Sequence, residues 1–143
     1  MQLEVADSML LPSSREDYER AKNVLTICER LNDEYSCDFP TEQFIHAGAY
    51  VRTAFMRKGS VLVGAKIKVD TVLIIEGDIM TNVNQKIKRY KGYHIVKALS
   101  PRQQYIYANE DSNITMIYAT KASSIDEAEK EFTDDYEQLL TRK

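Results

Sequence analysis

The sequence predicts a mainly β protein, built as a sandwich or barrel of antiparallel sheet. Between residues 44 and 119, short segments rich in Val, Ile, Thr and Tyr alternate with groups of turn residues. Turns that recur about every 8–12 residues are typical of such folds. The predicted strands cover 50–53, 60–63, 66–69, 71–75, 93–96 and 114–118. The predicted turns are Lys58-Gly59, Gly77-Asp78, Asn82-Val83-Asn84, Lys91-Gly92, Ser100-Pro101 and 109–113.

Two amphipathic helices flank the predicted sheet. Ser13 and Glu16 have the spacing of a capping box, and apolar residues then recur at helical spacing. Ser124 and Glu127 have the same spacing, and they precede a second helix over about 124–141. The apolar stripe of the first helix contains Tyr18, Ala21, Val24, Leu25, Cys28, Leu31 and Tyr35.

We expect one domain, because 143 residues suffice for a single core and no Pro/Gly-rich linker divides them. Its parts are an N-terminal segment and helix packed on the core (1–43), a β-barrel (44–122) and a C-terminal helix (123–143). Residues 1–11 are apolar without a clear period, and they either add an edge strand or pack on a partner.

The composition predicts a cytoplasmic protein without a membrane span. No apolar run approaches the ~20 residues that a spanning helix needs. The N-terminus lacks the basic and apolar regions of a secretory signal. Cys28 and Cys37 are too few for a disulfide framework, so we expect both to be reduced thiols.

Charge is distributed unevenly along the chain. The formal net charge is −3, but the balance is −6 over residues 1–42, +7 over 43–122 and −4 over 123–143. A basic sheet between acidic helices indicates either an anion-binding surface or charge complementarity between helices and sheet, within one fold or across a dimer.

Polar residues, most of them basic, form rows on the predicted strands, where they alternate with apolar residues. Each row is either the solvated face of an antiparallel sheet or part of a binding surface. The rows are His46, Tyr50 and Arg52 in segment 44–53, and Lys66 and Lys68. A further basic cluster, open to the same two interpretations, lies just before Gly92 and contains Lys86, Lys88, Arg89 and Lys91.

Several common catalytic motifs are absent. The chain has no Gly-rich phosphate loop, no Gly-x-Ser-x-Gly elbow and no Cys-x-x-Cys pair. A Ser/His/Asp or Cys/His site would have to use His46 or His94, and neither has a signature beside it. A lone histidine in a strand is more often a hydrogen-bonded packing residue than a base.

The stretch from Gly59 to Tyr118 resembles the two motif regions of the cupin superfamily. Gly59 and Gly77-Asp78 match the frame of the first motif, and Pro101 matches the turn of the second. The resemblance implies a single jelly-roll barrel, here with a helix at each end.

The metal ligands of cupins have no counterpart here. The family's His-x-His pair, glutamate and third histidine fall at Lys66-Ile67-Lys68, near Thr71 or Val72, and near Tyr105 or Ile106. Lysines are protonated at neutral pH and repel a cation. We therefore expect no metal and no cofactor, and none of the metal-dependent dioxygenase or isomerase chemistry of the family.

A closer resemblance is to small cupin-like proteins of tailed bacteriophages and prophages. It covers about residues 44–140, and the matching stretches are 46–53, 92–94 and 128–133. It implies a jelly-roll fold and a phage setting, and it implies no established activity.

The leading functional hypothesis is a metal-free barrel that binds an anionic small molecule, such as a nucleotide or a sugar phosphate. Arginine and lysine supply the charge, and tyrosines supply stacking or hydrogen-bonding walls. In a phage setting, such a protein would sequester a host signalling nucleotide. The candidate binding residues are His46, Tyr50, Arg52, Lys66, Lys68, Tyr93, His94 and Tyr105.

Two other classes remain open. A metal-independent lyase or epimerase would use His46 or His94 as the base and Tyr50 or Tyr93 as the acid. A structural or interaction protein of a phage particle would form homodimers or larger homo-oligomers through the helices. Nucleic-acid binding is least favoured, since the net charge is acidic and no nucleic-acid motif is present.

Overall fold

The computed structural model describes residues 9–31 and 39–142. A short N-terminal strand and a helix come first, and a series of antiparallel strands and a second helix follow. The strands are β1 (Met9–Leu10), β2 (Thr41–His46), β3 (Ala49–Met56), β4 (Val61–Val63), β5 (Thr71–Val83), β6 (Lys86–Ala98), β7 (Tyr105–Ala108) and β8 (Ser112–Ala119). The helices are α1 (Arg15–Leu31) and α2 (Ile125–Phe132), followed by 3₁₀ turns at Tyr136–Gln138 and Leu140–Arg142.

The hairpin of β5 and β6 is the longest feature of the sheet. Each strand has 13 residues, and the antiparallel ladder runs without a break along both. Asn84 and Gln85 form the two-residue turn with φ values of 47° and 72°, which is the conformation of a type I′ turn. The first half of β5 also pairs with β8 and its second half with β7.

β5 therefore belongs to two groups of strands. One has the order β1-β6-β5-β8-β3-β2, and the other joins β4 to β7 and β7 to β5. Buried side chains from both groups, such as Leu73, Ile106 and Met116, belong to one core. This arrangement is consistent with a jelly roll.

β5 changes partners at Gly77 and Asp78. A Cβ atom on Gly77 would lie 2.2 Å from the Ser112 hydroxyl oxygen, and its φ is +131°. The backbone N–H of Asp78 donates to that same oxygen at 3.0 Å. The Asp78 carboxylate accepts hydrogen bonds from the Arg89 guanidinium at 2.9 and 2.5 Å, which lower the pKa of Asp78 to about 2.

The turns predicted at Gly77-Asp78 and Lys91-Gly92 are wrong. Gly77 and Gly92 lie inside β5 and β6 and pair with each other. Glycine commonly marks a turn, but in paired strands it also permits a bend or a close approach of another backbone. Here that approach is made by the start of β8, at Ser112.

The segment 44–53 is a hairpin and not a single strand. Ala47 and Gly48 have φ values of 53° and 74° and form a two-residue turn between β2 and β3. The alternation of inward and outward side chains therefore begins again in β3, after the turn. His46 lies on the exposed outer face of the sheet, whereas Tyr50 and Arg52 point to the interior.

The predicted strand 66–69 is also wrong. Its sheet pairing is a single bridge between Ile67 and Arg102. The Lys68 N–H donates instead to the carbonyl of Phe132, at the end of α2, at 2.9 Å. The end of α2 thus takes the donor that a neighbouring strand would otherwise use.

α1 begins one residue later than predicted. Ser14 Oγ accepts from the Asp17 N–H at 3.1 Å, and the Asp17 carboxylate accepts from the Ser14 N–H at 2.8 Å. The Ser13 hydroxyl is used elsewhere, since it bonds the backbone of Gln103. The buried Asp17 also accepts from the Gln85 N–H at 3.1 Å, which docks α1 on the β5–β6 turn.

The C-terminal helix is shorter than predicted. Ser124 caps α2 as expected, accepting from the Glu127 N–H at 3.2 Å. The helix ends at Phe132 because Thr133 is extended, with φ −151°, and its hydroxyl accepts from the Asp135 N–H. The chain then continues in the two 3₁₀ turns.

Neither α1 nor α2 is long and apolar enough to cross a bilayer. Residues 1–8, Cys37 and Tyr35 lie outside the described residues, so the expectations for them stay predictions.

Gly77→Ala should lower the free energy of unfolding by about 2–4 kcal/mol, because the new Cβ meets the Ser112 side chain and the Asp111 carbonyl in a strained backbone. Gly92→Ala is the matched control, since it shares a positive φ but has open space around its Cβ. Urea denaturation of the three proteins measures both effects. An equal loss in both variants would show that backbone strain alone, and not the contact with β8, requires Gly77.

Candidate ligand-binding cavity

A cavity of about 1100 Å³ lies inside the barrel, between the strands, α1 and the C-terminal segment. Its wall is largely aliphatic or aromatic, and polar groups enter it from α1, β3 and the chain around residues 64–67 and 102–104. Five lining side chains are cationic and two are acidic. They are Arg15, Lys22, Arg52, Lys66 and Arg102, against Glu19 and Asp135.

Arg102 is the cation that lies deepest, with 1% of its surface exposed. Its backbone pairs with Ile67, with N–O distances of 2.8 and 3.0 Å, and this bridge sets the side chain against the cavity. Its guanidinium donates to Thr71 Oγ1 at 2.8 Å, Gln104 Oε1 at 3.4 Å and the Val69 carbonyl at 3.5 Å. All three acceptors are uncharged.

No carboxylate within the described part of the chain forms a salt bridge with Arg102. Asp70 lies close enough to attract it, but the Asp70 carboxylate accepts hydrogen bonds from Ser100 instead, both at 2.8 Å. Burial lowers the pKa of Arg102 to about 10. The side chain is therefore a cation at neutral pH that has lost its water and is attracted by Asp70 only from beyond salt-bridge distance.

Arg52 lines the same cavity in a different electrostatic state. Its Nη1 lies 3.5 Å from Glu129 Oε2 and donates to Gln43 Oε1 at 3.2 Å. The buried Tyr50 hydroxyl donates to the same Gln43 oxygen at 2.7 Å, and burial raises the pKa of Tyr50. Arg52 is thus partly neutralised by the protein itself.

Glu129 also ties the C-terminal segment over the cavity. Its carboxylate accepts from Arg142 Nε and from Thr141 Oγ1, both at 2.8 Å. These contacts hold the segment in which Gln138 and the buried Leu139 complete the cavity wall.

The two predicted lysines lie near the solvent side. Lys66 is exposed and lines the cavity. Lys68 lines a smaller neighbouring pocket of about 460 Å³, and its Nζ lies 2.7 Å from Asp134 Oδ1.

The other predicted site residues are not among the residues that line the cavity. His46 and Tyr93 lie on the outer face of the sheet. His94 Nε2 lies 2.8 Å from the Lys91 carbonyl, and its ring packs edge-on against Tyr90. Tyr105 faces away from the cavity, because its strand neighbour Ile106 lines it.

The geometry does not assemble the acid–base pairs considered for a lyase or epimerase. Tyr93 and His94 are consecutive in β6 and point to opposite faces of the sheet. His46 is on the outer face, while the Tyr50 hydroxyl is buried inside. A base must share a cavity with the acid and the substrate, and neither histidine lines this cavity.

The residues of the cavity do not fit a transition metal. Such an ion needs several imidazole, thiolate or carboxylate ligands. Within the described ranges, no three or more His, Cys, Asp or Glu side chains are grouped to hold one. The most deeply buried charged side chain in the wall is instead the guanidinium of Arg102, which repels a cation.

Sequence reasoning placed Arg52 and Lys66 among the site residues and missed Arg102, Gln43 and Glu129. Arg102 lies in an irregular polar stretch whose sequence shows no alternation of apolar and polar residues. No local signal distinguishes it from the exposed basic residues of the chain.

Solved structures with a similar fold include cupin superfamily proteins. A cupin superfamily protein from Desulfitobacterium hafniense DCB-2 has a TM-score of 0.50 and 8% identity, covering 61% of this chain and 82% of that one. Salicylate 1,2-dioxygenase from Pseudaminobacter salicylatoxidans has a TM-score of 0.50 and 14% identity, and the match covers 80% of this chain and 36% of that one. The plu4264 protein from Photorhabdus luminescens has a TM-score of 0.50 and 12% identity, and the match covers 66% of this chain and 86% of that one.

At these identities the comparisons show the fold alone, which is a mainly β, cupin-like barrel. The sequence matches no protein-family model and no curated protein.

Arg102→Met should leave the free energy of unfolding unchanged or raise it by up to about 2 kcal/mol, because a buried charge whose hydrogen-bond partners are uncharged is replaced by an apolar chain of similar length. Thermal and urea denaturation at pH 7 measure it. A loss of more than about 1 kcal/mol would show that the three hydrogen bonds of Arg102 contribute more than its burial costs.

Proposed function

We propose that this protein is a metal-free, cupin-like barrel that binds an anionic small molecule inside its cavity. The observation that carries the proposal is Arg102, a buried cation in the cavity wall with uncharged hydrogen-bond partners. A desolvated charge is destabilising until an opposite charge reaches it. A bound anion would supply that charge.

The rest of the cavity supports the proposal. Its volume is sufficient for a small molecule, and its cations outnumber its acidic groups. Exposed Lys66 and Lys22 would attract an anion toward the interior from the solvent side. Arg52 contributes less, because Glu129 already balances it in part.

The narrower form of the proposal rests on the sequence resemblance. In that form the protein is phage-encoded, resides in the host cytoplasm and sequesters a host signalling nucleotide or a sugar phosphate. Arginine and lysine together are the usual recognition groups for phosphate.

The test is isothermal titration calorimetry of the full chain at pH 7 with inorganic phosphate, AMP, glucose 6-phosphate, benzoate and hexanoate. At least one anion should bind, and Arg102→Met should weaken it roughly 10- to 100-fold, as expected for loss of a charge-assisted hydrogen bond. Arg57→Met is the matched control, since Arg57 is exposed and lies outside the cavity wall.

Two outcomes would contradict the proposal. One is the absence of heat with every anion up to millimolar concentration. The other is an equal loss of affinity in Arg57→Met and Arg102→Met, which would indicate general charge attraction in place of a cavity site.

A further inference from the structure

The character of the cavity wall narrows the class of ligand, in an inference that rests on the proposed function. We infer that the natural ligand is a monocarboxylate with an apolar body, whose carboxylate binds Arg102, in place of the nucleotide or sugar phosphate that the sequence resemblance suggests. Three features of the cavity lead to this class: the number of buried charges, the free N–H groups of Arg102, and the apolar wall around it.

Among the cations that line the cavity, Arg102 is the one that is buried and has no salt bridge to a described residue, so one positive charge needs balancing. Arg15, Lys22 and Lys66 are exposed and keep their water, and Arg52 has Glu129 at 3.5 Å. A ligand with one negative charge neutralises Arg102, whereas further charges on a polyphosphate would enter an apolar interior without partners.

The hydrogen-bonding capacity of Arg102 suits a carboxylate. A guanidinium has five N–H groups, and its three hydrogen bonds leave one free N–H on each terminal nitrogen. A carboxylate has two oxygens that can accept from these two N–H groups. Because Arg102 is 1% exposed, the side chains around it must move to admit the carboxylate.

The wall beyond Arg102 is apolar. Leu73, Met116 and Ile114 enter from the large sheet, and Leu62 and Ile106 from the β4–β7 pair. An aliphatic or aromatic body packs against such side chains, and each CH₂ group that it buries adds affinity.

The test titrates acetate, butanoate and hexanoate, with hexanol and inorganic phosphate as controls. The dissociation constant should fall roughly three- to fourfold for each added CH₂. Hexanol should bind at least roughly tenfold more weakly than hexanoate, and Arg102→Met should remove the difference between them.

If phosphate or AMP binds in an Arg102-dependent way and the carboxylates do not, this inference is wrong while the proposed function stands. If no anion binds, both are wrong. An affinity that does not change with chain length would exclude the apolar body.

A second inference comes from the outer face of the large sheet, where six apolar side chains lie together. One row across the strands contains Phe44, Val51, Ile117, Val72 and Lys97, and the next contains Glu42, Thr53, Thr115, Ile74 and Ile95. Phe44 is 51% exposed, Ile95 45% and Val72 40%. A contiguous apolar surface of this kind is typical of an interaction site.

The geometry points to a second copy of this chain as the partner, packed face to face about a two-fold axis parallel to the strands. This axis, set on β8, places β2 of one copy over β6 of the other, while β1 lies beyond β6. At the centre, Ile117 then meets Ile117 of the other copy, and Val51 meets Val72. Glu42 then lies one row from Lys97 of the other copy, in two symmetric pairs. Neither side chain has an ion-pair partner within the described ranges.

The area agrees with a dimer of modest affinity. A third row contains Phe55, Asn113, Glu76 and Tyr93. Five strands about 4.8 Å apart and three rows about 6.8 Å apart cover roughly 500 Å² on each copy. The total of roughly 1000 Å² is at the lower limit for a specific interface. This surface lies apart from the helices through which the sequence predicts oligomers.

Sedimentation equilibrium at about 10–300 µM tests the dimer. Val72→Glu and Ile95→Glu should each raise the dimer dissociation constant roughly tenfold or more, because the new charge would face Val51 or Glu42 of the other copy. Ile87→Glu is the matched control, since Ile87 is 54% exposed but lies at the far end of β6. Glu42→Lys should weaken the dimer, and adding Lys97→Glu should restore it.

A monomer over the whole concentration range would overturn the dimer. So would a dimer that Val72→Glu and Ile95→Glu leave intact, because its interface would then be elsewhere, for example on the helices. Failure of Lys97→Glu to rescue Glu42→Lys would exclude the proposed two-fold axis.

Discussion

The barrel depends on the ability of β5 to serve three partner strands at once. Its ladder with β6 is continuous, while β8 pairs with its first half and β7 with its second. The change of partner requires a close approach between Gly77 and Ser112, and a side chain at Gly77 would occupy the space of the Ser112 hydroxyl. The two groups of strands enclose a common interior because β5 passes from one to the other at this point.

The same interior holds two guanidinium groups in different states. Arg52 has a carboxylate within 3.5 Å, whereas Arg102 is surrounded by a hydroxyl, an amide and a carbonyl oxygen. A guanidinium with uncharged partners keeps its full charge available to a ligand. The difference between the two arginines, more than the number of basic residues, defines the candidate site.

Local chemistry predicted several elements well. Five of the six segments predicted as strands correspond to β3, β4, β5, β6 and β8. Ser124 caps α2 because its spacing from Glu127 is a local property. The hairpin in segment 44–53 was harder to predict. An Ala-Gly turn is a weak signal, and apolar and polar residues alternate across it as they would in a single strand. Inserting that turn placed His46 outside while Tyr50 and Arg52 stayed on one strand. The alternation therefore placed Tyr50 and Arg52 correctly on one face, and it placed His46 on the wrong face.

By itself, the sequence determined a basic β region between acidic helices, because composition and local spacing are properties of the chain. Only the tertiary structure decided which of the many cations is desolvated. Arg102 meets Val69 and Thr71 from more than 30 positions along the chain. The environment of a charge depends on such distant neighbours, so no local pattern distinguishes the buried arginine from the exposed ones.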